Sequence, residues 1–175
     1  MTTASSTERS PRRRRPLAVW ALGAVIVAFG LFQLVPIGVT NPPTRIEPRW
    51  DSPQTRQLAV AACFDCHSNQ SRHFWYQDVA PVKWWTANHV ADGRRALNFD
   101  EWGQPQRRAG RAAGTVQRGQ MPPSYYTWLG LHADAKLSAA QTQALVAGLE
   151  NTIANDPPPG GAGGGGQDGR RHGGG

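Results

Sequence analysis

Residues 63–67 read Cys-Phe-Asp-Cys-His, and Cys63 and Cys66 are the only two cysteines of the 175-residue chain. Two thiols three positions apart lie on one helical turn, so each can form a thioether with one of the two vinyl groups of haem. The adjacent His67 can then turn its imidazole onto the iron as the proximal ligand. The motif therefore predicts one covalently attached haem c, held by Cys63, Cys66 and His67.

Three other kinds of site would use the same residues. A disulfide between the two cysteines would close so short a loop that it would constrain little of the unfolded chain. A thioredoxin-like redox pair would follow a strand in a βαβ unit, and no such pattern precedes the motif. A zinc site would combine both cysteines with two of the histidines His67, His73 and His89. The histidine directly after the second cysteine favours haem over all three.

An apolar run lies upstream of the motif. Residues 17–32 include no polar side chain, and Gln33 is the first interruption. A helix over 17–35 would span roughly 28 Å at ~1.5 Å per residue, about the thickness of a hydrocarbon core. A cleaved signal peptide has a shorter apolar region, and a core helix would be amphipathic. We therefore expect residues 17–39 to form one transmembrane helix, an uncleaved signal anchor.

The positive charge of the chain is concentrated beside this run. The formal net charge is +7, and residues 1–16 supply more than half of it through five arginines and one glutamate. The positive-inside rule keeps this basic segment cytoplasmic, so residues 41–156 should lie on the periplasmic, extracytoplasmic side of the membrane. Because the excess charge belongs beside a membrane helix, it does not indicate DNA or RNA binding. We expect no nucleic-acid partner.

Helix signals recur through residues 41–156. Ser52 and the proline after it predict the N-cap and first turn of a helix that ends near residue 63. Pro81 predicts the start of a second helix, and Ser138 begins the capping-box pattern of a third. No segment alternates apolar and polar residues over the length of a strand. The sequence therefore predicts an all-α fold, a small cytochrome c-like helical domain with long loops around one haem.

The last residues of the chain form a separate segment. Residues 157–175 are rich in glycine and proline, and none has an apolar side chain larger than Ala162 apart from the prolines. Such a composition buries too little surface to offset the entropy of ordering. We expect residues 157–175 to be a disordered tail.

The distal iron ligand is predicted from the remaining sulfur and imidazole donors. Met121 is the only methionine besides Met1, and the two prolines after it would stiffen a loop that holds a weak methionine–iron bond. His89 is the alternative distal ligand, because it lies one turn after Trp85 in the predicted helix. His132 ranks third, and an open sixth position ranks fourth.

Further haem contacts are expected from aromatic and basic residues. Trp84 and Trp85 lie together in the helix that Pro81 begins, and a flat porphyrin offers aromatic side chains a large packing surface. Arg94 is expected to pair with a haem propionate. A stretch without acidic residues holds four more arginines: Arg107, Arg108, Arg111 and Arg118. These four either steer an acidic redox partner or form a solvated face.

Taken together, these features resemble the bacterial haem-binding domain family, whose members are small, usually membrane-anchored proteins with one C-x-x-C-H motif. The resemblance covers about residues 33–150. It is carried by Gln33, Asn41-Pro42-Pro43, Cys63, Cys66, His67, Ser68, Asn69, Trp75-Tyr76, Ala80-Pro81, His89-Val90, Gly93-Arg94, Leu97-Asn98-Phe99, Glu101-Trp102, Met121-Pro122, His132 and Leu137-Ser138. The family pattern contains both the histidine at 89 and the methionine at 121, so it leaves the distal ligand open.

The predicted function is single-electron transfer by a membrane-anchored c-type haem-binding protein at the outer face of the cytoplasmic membrane. The protein would act as an electron carrier rather than an enzyme, with a redox protein as its partner. A haem-based sensor or small-ligand binder is the alternative, and it would have an open or exchangeable sixth iron position. A haem peroxidase, with His89 or Arg94 as a distal acid–base group, is less favoured.

Overall fold

The computed structural model describes residues 15–161, and helices are the only regular secondary structure within that range. The α-helices are α1 (Arg15–Gln33), α2 (Pro53–Ala62), α3 (Phe64–His67), α4 (Val82–Ala96), α5 (Ala112–Gln117) and α6 (Ala139–Asn155). Short 3₁₀ helices in the loops span Trp75–Asp78, Ala109–Arg111, Ser124–Gly130 and Ala133–Ala135. The all-α fold expected from the sequence is confirmed.

Helix α1 contains the apolar run. Its large apolar side chains are exposed, from Leu17 at 80% to Phe32 at 54%. Within the described residues, no helix is long and apolar enough to cross a membrane. The transmembrane helix expected over 17–39 is therefore not supported; α1 covers residues 15–33, and residues 34–39 follow it outside any helix. The expected cytoplasmic segment 1–16 lies outside the described residues except for its last two positions.

The end of α1 is joined to the start of α4. The Gln33 side-chain oxygen accepts a hydrogen bond from the Ala80 amide at 2.9 Å, and Lys83 Nζ donates to the Gln33 carbonyl at 2.7 Å. The rings of Phe32 and Trp84 pack edge to face at 5.6 Å. These contacts place α1 against the side of the domain that carries α4.

The predicted helix ends are observed where their capping chemistry requires them. Ser52 caps α2 by accepting the Thr55 amide at 3.1 Å, with proline at the first helical position. Ser138 caps α6, and its side chain and that of Gln141 each accept the other residue's backbone amide, as a capping box requires. Helix α6 ends at Asn155, before Pro157.

The hydrophobic core lies between α2, α5, α6 and the segment 97–102. Helices α2 and α6 approach so closely that a β-carbon at Gly148 of α6 would overlap the Thr55 side chain of α2. The buried core residues are Leu58, Ala59, Ala62, Phe64, Leu97, Phe99, Trp102, Ala109, Ala113, Val116, Leu145 and Leu149. This core supports α3 from one side and leaves its other side toward α4.

The chain continues in contact with the domain beyond the expected boundary at 156. The Pro159 carbonyl accepts a hydrogen bond from the Gln106 amide at 2.8 Å, and Pro158 is buried. Residues 157–161 therefore pack against the domain, since a backbone partner and a buried ring offset part of their ordering entropy. The remainder of the expected tail, residues 162–175, lies outside the described residues.

Candidate functional site

The Cys-Phe-Asp-Cys-His motif occupies the junction of α2 and α3. Cys63 lies between the two helices, and its carbonyl accepts hydrogen bonds from the Cys66 amide at 3.1 Å and the His67 amide at 2.9 Å. Phe64 is 2% exposed and stacks on Phe99 in the core. The buried phenylalanine fixes one side of this single turn, so the two thiols and the imidazole are presented from one short, anchored element.

The imidazole of His67 is oriented by two backbone carbonyls. Its Nδ1 lies 2.9 Å from the Gly93 oxygen and 3.0 Å from the Leu97 oxygen, both at the end of α4. A carbonyl oxygen only accepts, so Nδ1 carries the hydrogen and Nε2 keeps its lone pair. Burial lowers the pKa of His67, which also favours the neutral ring. A neutral imidazole with one nitrogen tied to the backbone is the form in which histidine binds a metal.

Glycine at position 93 allows this arrangement. A β-carbon at Gly93 would overlap the Cys66 carbonyl oxygen and would lie 3.1 Å from the Cys66 carbonyl carbon. Helix α4 therefore passes directly against the motif at this residue. The close approach brings the Gly93 carbonyl within hydrogen-bonding distance of His67.

Two cavities flank His67. Cavity 1, of about 330 Å³, lies beside α5 and is lined by Leu97, Val116 and Leu149 among others. Cavity 2, of about 320 Å³, lies beside α4 and is lined by Trp85 and Tyr125 among others. Each has the size of a small-molecule pocket. Five residues line both cavities, which are therefore neighbouring parts of one cleft: Cys63, His67, Ala96, Arg108 and Met121.

Both candidate distal ligands reach the cleft. Met121 lines the two cavities and is 39% exposed. His89 lines cavity 2, where its Nδ1 lies 2.9 Å from the Trp85 carbonyl and its ring packs on the Trp85 indole at 4.0 Å. The same donor argument leaves Nε2 of His89 with a lone pair. The structure brings Met121 and His89 to one cleft and does not choose between them.

His132 is placed differently from the other candidates. It lines cavity 2 and is 4% exposed, with its ring stacked on Tyr126 at 3.9 Å. Its Nε2 lies 2.8 Å from the Tyr76 hydroxyl, while its buried Nδ1 has no hydrogen-bond partner among the described residues. Burial lowers the pKa of His132. With Nε2 engaged by a tyrosine, His132 is better suited to donate from Nδ1 than to bind iron.

A comparison with known families shows which family the chain belongs to. The sequence profile of a family described as the haem-binding domain matches residues 27–151. The chain belongs to the haem-binding domain family. No curated protein and no solved structure matches the chain. The family assignment predicted from the motif is confirmed.

The residues around the cleft of this haem-binding domain fit a haem. The neutral imidazole of His67 offers a free nitrogen, and the close passage of α4 at Gly93 supports it from behind. Met121 offers a thioether within the same cleft. The orphaned Nδ1 of His132 is a buried group that a bound molecule would satisfy. Within residues 15–161, no group of three or more His, Cys, Asp or Glu side chains is arranged to hold a metal ion without a porphyrin.

Both cysteines are free of a disulfide and half-buried. Burial raises the pKa of Cys63 to about 12 and the pKa of Cys66 to about 11. Both thiols are therefore neutral at physiological pH in the haem-free fold. The predicted thioethers to these two residues remain a prediction.

The structure places Trp84 and Arg94 outside both cavities, so their predicted contacts with the cofactor stay predictions. Trp85 lines cavity 2 as expected, but Trp84 lies outside both cavities and packs on Phe32. Trp84 instead points to the side of α4 that packs against the end of α1. Arg94 also lies outside the cleft and donates to the carbonyls of Ser68 and Thr40, each at 2.7 Å. Its guanidinium thereby joins the segment between α1 and α2 to the residues that directly follow the motif.

Sequence reasoning did not assign three arginines to the site. Arg108 lines both cavities, and Arg111 and Arg118 line cavity 1. The available signal was the absence of any acidic residue near them in the sequence, which leaves a cluster of cations without a local partner.

Asp65, between the two cysteines, forms part of the wall of cavity 2. Its carboxylate accepts hydrogen bonds from the Arg72 amide, at 2.9 Å, and from the Tyr126 hydroxyl. It also forms an ion pair with the Arg72 guanidinium at 2.7 Å. Burial alone would raise the pKa of Asp65, but the hydrogen bonds from Arg72 and Tyr126 outweigh it and lower the pKa below its usual value. Asp65 thereby ties two loops to the motif.

Proposed function

We propose that this haem-binding domain carries one haem c, attached through thioethers to Cys63 and Cys66, and serves as a single-electron carrier. The observation that carries the proposal is His67, whose Nδ1 is held by two carbonyls of α4 while its Nε2 keeps a lone pair beside a cleft. When bound, the haem supplies an iron that cycles between the ferric and ferrous states.

The residues around the cleft support the proposal of electron transfer. The two carbonyl contacts prevent rotation of the His67 ring, so little reorganisation would accompany a change of charge on the iron. Met121 is proposed as the distal ligand, since a thioether used together with an imidazole would favour ferrous iron and raise the reduction potential. The apolar residues Leu97, Val116 and Leu149 line cavity 1 and limit access of water.

Covalent attachment is tested by removing the thiols one at a time. After expression with a cytochrome c maturation system, the wild-type protein should keep its colour on a denaturing gel. The variants Cys63→Ala and Cys66→Ala should each retain one thioether and remain coloured. The double variant should release its haem into acidified organic solvent. A double variant that stays coloured after denaturation, or a wild type that loses its haem to the solvent, would defeat the proposal.

Electron transfer is tested against the sensor alternative by spectroscopy. A low-spin ferric haem whose ferrous form ignores carbon monoxide supports an electron carrier. The 39% exposure of Met121 is the observation that favours an exchangeable sixth position, and rapid carbon monoxide binding by the wild type would support the sensor. Met121→Ala should abolish the weak near-red thioether-to-iron band, whereas the matched variant His89→Ala should keep it. The opposite result assigns bis-histidine ligation to a carrier of lower potential.

We further propose that the domain is exported and tethered to the outer face of the cytoplasmic membrane through residues 17–39. The support is the exposed apolar surface of α1 and the five arginines in residues 1–16. A phosphatase reporter fused after residue 156 should be active, and the protein should stay in the membrane fraction after alkaline washing. Recovery of the whole chain in the soluble fraction would refute the tether.

A further inference from the structure

Cavity 1 carries an uncompensated positive charge. Arg108, Arg111 and Arg118 line it, and no acidic side chain does, whereas Asp65 and Asp92 line cavity 2. Within the described residues, the ion pairs are all formed by other side chains. Among residues 15–161, the only side-chain hydrogen bonds of these guanidinium groups are the long ones, at 3.3 Å, from Arg118 to Gln120. Cavity 1 is therefore cationic, whereas the two acidic side chains of cavity 2 are each paired with an arginine.

The backbone under these arginines is fixed. Arg108 directly precedes the 3₁₀ helix that ends at Arg111, and the first residue of that helix, Ala109, is fully buried. Arg118 caps the C-terminus of α5, whose Ala113 and Val116 belong to the core. Three flexible side chains thus extend from anchored positions around one opening, which is the arrangement of a cluster that receives an anion.

The two ends of the haem differ in charge, and the cleft matches them. Its two vinyl groups lie on one edge of the porphyrin and its two propionates on the opposite edge. Cys66 lines only cavity 2 and Cys63 lines both, so the vinyl edge belongs toward cavity 2. We propose that Arg108, Arg111 and Arg118 bind the haem propionates in cavity 1. This assignment rests on the proposed function in one respect, that the haem lies over His67.

The arginines then act on the haem through charge. A guanidinium group beside a carboxylate stabilises the ionised form and lowers the carboxylate pKa. It also opposes the extra positive charge of ferric iron, so it raises the reduction potential. Removing one arginine should lower the potential and move the propionate titration toward neutral pH by on the order of 1 pH unit.

The test compares single variants of the full-length, haem-loaded chain. Arg108→Gln, Arg111→Gln and Arg118→Gln are each titrated electrochemically over a series of pH values, and redox-difference infrared spectra report the carboxylate bands. Arg107→Gln is the matched control, because Arg107 lies in the same acid-free stretch but lines neither cavity. The expected result is a shifted pH profile and altered carboxylate bands in the three cleft variants, and neither change in the control.

Two results would overturn the assignment. One is that all three cleft variants match Arg107→Gln in pH profile and carboxylate bands. The other is that the bands respond to His132→Gln instead, which would place the propionates in cavity 2 near the orphaned imidazole nitrogen. Failure of the proposed function looks different, because loss of covalent attachment or of six-coordination is read from the gel and the visible spectrum rather than from carboxylate bands.

Discussion

Replacement of Gly93 by alanine is expected to destabilise the domain at the haem motif. In an open helix the change would stabilise by about 1 kcal/mol, because alanine has the higher helix propensity. At this residue the new β-carbon would overlap the Cys66 carbonyl oxygen. Overpacking of this kind costs about 1–3 kcal/mol, and a backbone carbonyl cannot swing aside as a side chain can. The upper end of that range less the propensity gain gives a net loss of about 2 kcal/mol in the free energy of unfolding.

Denaturant unfolding followed by tryptophan fluorescence measures this loss. The matched control is Gly114→Ala, in α5, where the nearest atom to the new β-carbon is the end of the flexible Arg118 side chain at 3.1 Å. The control should be neutral or slightly more stable than the wild type. Retraction of α4 should also weaken the carbonyl contacts to His67 and change the visible spectrum. A Gly93→Ala protein as stable as the Gly114→Ala control would refute the argument.

Three further outcomes are expected. The free energy of unfolding should fall as the pH drops from 4.5 toward 2, because hydrogen bonds from Arg56 lower the pKa of Glu47 to about 2. Glu47→Gln should flatten the pH profile of stability in that window. Equal slopes for the wild type and Glu47→Gln would contradict this. In the haem-free protein, alkylation of Cys63 and Cys66 at neutral pH should be far slower than that of free cysteine, and equal rates would show that the thiols are accessible. Met121→Ala should lower the reduction potential and admit carbon monoxide, whereas an unchanged spectrum would move the distal ligand elsewhere.

The parts of the fold that could be predicted are those encoded locally. Ser52 and Ser138 cap helices because the capping chemistry lies within three residues of each serine. Helix α4 begins at Val82, directly after the proline that predicted its start. The single turn of α3 and the 3₁₀ helices could not be predicted this way, since short elements are stabilised by their neighbours in space rather than by their own sequence.

The residues of the candidate site also fall into those that could be predicted from local sequence and those that could not. The motif predicts Cys63, Cys66 and His67 as haem-binding residues from their spacing alone, and the family match is consistent with haem binding. Partners of charged side chains do not follow from spacing. Arg94 is held by carbonyls that come from two distant segments, and Arg108 is brought to the cleft by the 3₁₀ helix that follows it, which packs on α5 and α6. No local pattern distinguishes these two arginines, so their roles could only be seen in three dimensions.

The joint between α1 and the domain limits how far the site can travel. The hydrogen bonds among Gln33, Ala80 and Lys83 hold the end of the helix, and Asn41 is paired with the backbone of Ser71 in both directions, at 2.8 and 3.1 Å. The segment that follows α1 is thus bound along the domain surface and does not form a flexible linker. On the proposal that the domain is an electron carrier, this joint excludes transfer by swinging between donor and acceptor. Each redox partner would then have to diffuse to the cleft, dock and leave, so turnover should depend on the partner's concentration and be insensitive to lengthening of the chain before residue 15.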